Sequence, residues 1–87
     1  MAEKTVRLEI VAPDQIFFDG EATMVELNTT EGEVGIYPDH IPMTMIVAPG
    51  ELHIHNGKDV KNADLISGFM EIQKEKITIL AEEISWK

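Results

Sequence analysis

The chain has 87 residues, 44% of them hydrophobic, and sets 7 basic side chains against 16 acidic ones for a formal charge of −9. That size admits one domain with a modest core, burying about 60–65% of its unfolded surface; the excess of acid opposes phosphate backbones and anionic bilayers, so neither nucleic acid nor direct lipid insertion is expected. Cysteine is absent, which removes disulfides, thiolate metal sites and thiol catalysis together, and no apolar run approaches the roughly 20 residues of a membrane helix, nor do the first residues carry the basic and apolar blocks of a signal peptide.

In chain order, Val6, Leu8 and Ile10 alternate with Thr5, Arg7 and Glu9, the period of a strand with one wet face. Pro13-Asp14 and Asp19-Gly20 read as turns, and Val25 and Leu27 then alternate with Met24 and Glu26. Beyond Pro49-Gly50, Leu52 and Ile54 alternate with Glu51, His53 and His55 up to Asn56-Gly57, a hairpin signal whose type I′ turn needs positive φ at both central residues. Ser67-Gly68 and Lys74-Glu75 read as further turns before Ile77 and Ile79. The tail Ala81–Lys87 is the one segment with any helical character, and it is too short to be stable alone. The pattern predicts an all-β domain over residues 1–81, a small antiparallel β-sandwich or partly closed barrel of about eight to ten short strands, followed by a short tail, 82–87.

The run Glu31–Pro42 stands apart. Gly32 and Gly35, Pro38 and Pro42, and the side chains of Glu31, Glu33, Asp39 and His40 predict a stiff, exposed loop that presents side chains. Tyr37 and Ile41 each precede a proline and are pushed toward extended backbone. A rigid loop is where function tends to sit. Gly32 and Gly35 do not make a phosphate cradle, since a following helix and a lysine or third glycine in register are lacking. His53 and His55, with Glu51, share one strand face and could hold zinc only with further ligands. Asp39 beside His40 is a poor dyad, because adjacent residues rarely aim at one point and no activated nucleophile accompanies them. Met43 and Met45 suit an adaptable contact surface or ordinary core filling equally.

The motif Gly32-Glu33-Val34-Gly35-Ile36-Tyr37-Pro38-Asp39-His40-Ile41-Pro42 resembles the signature loop of the epsilon subunits of F-type ATP synthases, the delta subunit in mitochondria. Pro49-Gly50, Ser67-Gly68-Phe69-Met70-Glu71-Ile72 and Ile77-Thr78-Ile79-Leu80-Ala81 continue the likeness over nearly the whole chain. The resemblance implies an N-terminal β-sandwich in a non-catalytic subunit of the rotor's central stalk, packed on the gamma subunit and resting on the ring of c subunits. It further implies no cofactor, and a place as a peripheral subunit on the cytoplasmic face of a membrane, of bacterial type. By the same likeness Glu31, Glu33 and His40 are the ring-facing contacts, Gly32, Gly35, Pro38 and Pro42 set the loop's conformation, and Ile41 and Met43 are candidate contacts with the gamma subunit. Two departures stand out: many family members continue into a helical hairpin where this chain stops, and Asp39 takes a position often held by glycine or another small residue. A contrasting reading, from a different class, is a freestanding β-sandwich binding a metal or small ligand through the His53/His55 face.

Overall fold

The computed structural model describes residues 4–87, and all of its regular structure is strand. The elements are β1 (Val6–Ala12), β2 (Gln15–Ala22), β3 (Met24–Thr29), β4 (Gly32–Ile36), β5 (Met43–Val47), β6 (Gly50–Asn56), β7 (Asp59–Ile72) and β8 (Lys76–Trp86). Hydrogen bonding runs β2-β1-β8-β7-β5-β3-β4, with β6 paired to both β3 and β7. The two long strands serve both layers of the sandwich. The second half of β7 and first half of β8 lie among β5, β1 and β2, whereas their other halves continue the layer of β6, β3 and β4.

Alternation supplies the core. Leu8, Ile10, Leu52, Met70, Ile77 and Ile79 are fully enclosed, each contributing about 1.5–3 kcal/mol by leaving water. Ile10, Ile79 and Met70 lie side by side in register across β1, β8 and β7. Strict alternation fails once along β7, where Leu65 and Met70 are both buried although five residues apart. A bulge at Ile66–Gly68 resolves the parity, and the ladder with β8 slips there. Ser67-Gly68 is therefore a bulge inside a strand and not a turn. Asp19-Gly20 likewise lies within β2, opposite Glu9 and Leu8.

Three further expectations are corrected. One pair, β1 with β8, is parallel: β8 starts beside β1 and runs in the same direction, and only its second half crosses into the other layer. The loop predicted at Asn56-Gly57 centres one residue later: Asn56 pairs with Asp59, and only Gly57 has positive φ, at 65°, the pattern of a type II′ loop. Residues 82–86 are strand, not helix. They pair with β7 as far as Ala63↔Trp86, and the Trp86 ring stacks on Phe17 with centroids 4.4 Å apart. Tertiary pairing thus overrides the weak local preference of the tail.

Thr29, the one buried polar residue described, ties the β3–β4 hairpin. Its hydroxyl donates to the Gly32 carbonyl at 2.8 Å and accepts the Glu31 N–H at 3.1 Å. Thr29→Val keeps the shape but orphans both groups, and should lower stability by about 1–3 kcal/mol in urea titration. A loss no larger than that of an exposed threonine such as Thr44 would show that water replaces the hydroxyl.

Candidate functional site: the Glu31–Pro42 run

The run is not one loop. Its first half is a hairpin tip, Thr30-Glu31, followed by β4, an edge strand paired with β3 from Thr29↔Gly32 to Val25↔Ile36. A strand forms here because no proline intervenes before Pro38 and because Val34 and Ile36 alternate inward, against Leu27 and Val25. Of the two glycines only Gly32 needs its freedom, at φ 113°. The expectation that Gly35 also fixes the conformation fails: its φ is not positive, and an added Cβ would meet nothing nearer than Met24 Sδ at 3.7 Å.

Because β4 lies between them, Glu31 and His40 sit toward opposite ends of the layer, about 13–17 Å of strand apart at 3.3 Å per residue. Glu31 and Glu33 are exposed. Their end of the layer adjoins the turn into β6, since Thr30 N–H donates to Ile46 O at 3.1 Å and Ala48 N–H to Asn28 O at 2.9 Å. The true loop is Tyr37–Pro42. In it Asp39 takes φ 65°, the only positive value among the described non-glycine residues, which explains why a small residue or glycine suits the position. Its carboxylate pairs with the Lys4 ammonium, and Tyr37 and Pro38 border a shallow cavity shared with Lys4, Met24 and His55. Half-buried His40 places Nδ1 2.9 Å from the Ile41 carbonyl, Ile41 is 70% exposed, and Met43 is half-buried against the core.

Asp39 and His40 thus engage different partners and form no dyad. The Lys4 hydrogen bond, and then its charge, hold the Asp39 carboxyl below its ordinary value of 3.8, with loss of hydration opposing and Lys74 assisting. A carboxylate depressed in the folded state adds stability that is present above the unfolded value and lost as pH falls through the folded one. An NMR titration should find Asp39 ionising below 3.8, and Lys4→Gln should return it upward. An unchanged midpoint in that variant would dissolve the pair.

His53 and His55 share a face but diverge. His53 Nδ1 meets Asn62 Oδ1 of β7 at 2.5 Å, and His55 Nε2 meets Glu26 Oε1 of β3 at 2.6 Å. Among the described residues no group of three or more His, Cys, Asp or Glu converges as a metal site, so the ligand-binding reading of this face gains no support. Sequence reasoning missed Lys4–Asp39, Glu26–His55 and the Thr29 hydroxyl. The first two join residues far apart in sequence; the third was signalled by Thr29-Thr30-Glu31-Gly32, a two-residue hairpin loop closed by a threonine.

Comparison with known proteins gives the arrangement a family. Relatives named ATP synthase epsilon chain include that of Alkalihalophilus pseudofirmus, 37% identical over 78 residues and matching 90% of this chain and 59% of its own length. Another, from Chromobacterium violaceum, is 38% identical over 79 residues, 88% of this chain and 56% of the relative. The chain therefore spans a little over half the length of these relatives. Among solved structures, a chain in the Euglena gracilis mitochondrial ATP synthase, determined with its OSCP, F1 and c-ring parts, superposes with a TM-score of 0.89 at 19% identity, covering 99% of this chain and 56% of that one. A chain from the central stalk and c-ring of the Tetrahymena thermophila mitochondrial enzyme gives 0.78 at 16%, covering 98% and 69%; both show the fold alone. The family profile for the ATP synthase delta/epsilon chain β-sandwich domain matches residues 5–87, and the chain belongs to that family.

Proposed function

We infer that the domain is a non-catalytic rotor element in the central stalk of a proton-translocating ATP synthase. It joins the gamma subunit to the c-ring on the cytoplasmic face of a bacterial membrane. The observation that carries this reading is family membership across residues 5–87. Two layers sharing β7 and β8 make a body that resists twisting, which suits the transmission of torque. Glu31 and Glu33 are the ring contacts, at a hairpin tip braced by Thr29; their acidity fits a basic, polar loop on each c subunit. His40 and Ile41, at the far end of β4, serve a separate contact, and Ile41 and Met43 are the gamma-facing candidates, of which exposed Ile41 is the better placed.

Mixing the domain with a purified gamma subunit should give a stoichiometric complex by sedimentation, and failure to associate would overturn the stalk reading. Glu31→Gln with Glu33→Gln should leave thermal stability within about 0.5 kcal/mol, as exposed changes usually do. In the assembled enzyme that double variant should weaken coupling of hydrolysis to proton pumping. Intact coupling would remove the hairpin tip from the ring contact.

A further inference from the structure

The turn from β6 into β7 brings a nucleophile and an electrophile together on adjacent residues. Asn56, Gly57, Lys58 and Asp59 are all exposed. Asn56 pairs with Asp59, so it is the last residue of β6 held in the ladder and Gly57 is the first one free of it. Gly57 has φ 65° and no side chain to stand between its main-chain nitrogen and the Asn56 amide carbon. Its N–H donates to the Thr23 hydroxyl at 3.2 Å, at the long end of the range for such a bond.

The fold denies the same geometry to every comparable pair. Asn28 lies within β3 and is followed by Thr29, a buried, β-branched residue whose bulk crowds the main-chain nitrogen. Asn62 lies within β7, its Oδ1 engaged by His53 and its successor Ala63 fully enclosed. Asp19-Gly20 has the glycine, but Gly20 pairs with Leu8 in the β1–β2 ladder and Arg7 holds the Asp19 carboxylate at 2.7 Å. Extended backbone points a side chain away from the next residue's nitrogen, so only the turn leaves the approach open.

We propose that Asn56 is a self-modifying site, converted without any enzyme to aspartate and isoaspartate, with the Thr23 hydroxyl as the restraint on its rate. The Gly57 nitrogen attacks Asn56 Cγ, the Cγ–Nδ2 bond breaks, and the side-chain nitrogen leaves as ammonia with the proton that Gly57 gives up. Water then opens the resulting succinimide. Cleavage between Cγ and the Gly57 nitrogen leaves aspartate at position 56; cleavage at the main-chain carbonyl leaves isoaspartate, whose main chain is one carbon longer. Either product places a carboxylate in a small cavity of about 80 Å³ that Glu21, Asp59 and Lys61 also line, directly across the ladder from Asp59, where like charges oppose pairing. The turn is distinct from the hairpin tip at Glu31, and the inference does not rest on the stalk reading.

The test ages the 87-residue chain in neutral buffer and maps its peptides by mass spectrometry at intervals, with fragmentation telling isoaspartate from aspartate. Acid at position 56 should form faster than at positions 28 and 62 by about tenfold or more, with isoaspartate present alongside aspartate. Asn56→Gln, whose longer side chain closes a ring far less readily, should abolish the conversion there while circular dichroism keeps the wild-type spectrum. Thr23→Val removes the hydroxyl that restrains Gly57 but keeps the main-chain bond from position 23 to His55 O at 2.7 Å, so the turn stays docked. That variant should convert about two- to tenfold faster, the worth of one ordinary hydrogen bond. Three results overturn the proposal: acid forming first at position 28 or 62, aspartate at position 56 with no isoaspartate, or a Thr23→Val variant that converts no faster than the wild type.

Discussion

Gly68→Ala is expected to destabilise the domain by about 3 kcal/mol, at the upper end of what a single added carbon does. A Cβ at this position would lie 2.5 Å from the Leu80 carbonyl oxygen and 3.2 Å from Ala81 Cα. Both obstacles are backbone in β8, which is pinned on its far side by β1, so neither can swing away as a side chain would. The bulge around Ser67 already absorbs one register slip, and further displacement would disturb the ladder on both sides. Urea unfolding should show a lower midpoint with an unchanged slope. Gly35→Ala is the control, expected within about 0.5 kcal/mol because ordinary contacts alone surround it. Equal effects at the two glycines would mean that β7 and β8 can separate without penalty.

Ile79→Ala is expected to cost about 3–4 kcal/mol, the range for emptying a closed apolar site. The side chain is inaccessible to solvent and lies in register between Ile10 of β1 and Met70 of β7, so collapse around the void would have to move two neighbouring strands. In a domain whose whole stability is of order 5–15 kcal/mol, that is a large fraction, and the variant should unfold well below the wild type in a thermal scan. Leu80→Ala, one residue away but on the outer face, should change stability far less. Comparable losses at 79 and 80 would contradict the inward and outward assignment of β8.

Alternation made β1, β3, β6 and the first part of β8 legible, since each has a buried residue at every second position and one wet face. What could not be read was punctuation inside strands. Asp19-Gly20 and Ser67-Gly68 use the letters of turns, yet lie in β2 and β7; only the parity of Leu65 against Met70 hinted at an inserted residue. The same ambiguity hid β4, where glycine at the outward position 35 masked the inward pair Val34 and Ile36. The run Glu31–Pro42 was therefore read as one loop, whereas it is a hairpin tip, an edge strand and a loop whose two ends lie apart. Contacts such as Lys4 with Asp39 close over 35 residues, a separation at which local pattern carries no information.

The place of β8 bears on how the domain is made. β8 lies in the middle of its layer, between β1 and β7, so β1 and β2 remain a lone hairpin, marginal in water, until β3 to β7 have been synthesised and β8 follows them. Closing that parallel seam brings Arg7 to Lys76 and Val11 to Leu80, and the loop entropy is lost before the packing returns it. Such topologies fold in milliseconds to seconds, not microseconds. During synthesis the apolar faces of β1 and β2 would wait uncovered, and the interval in which they can find a wrong partner ends only when β8 is inserted.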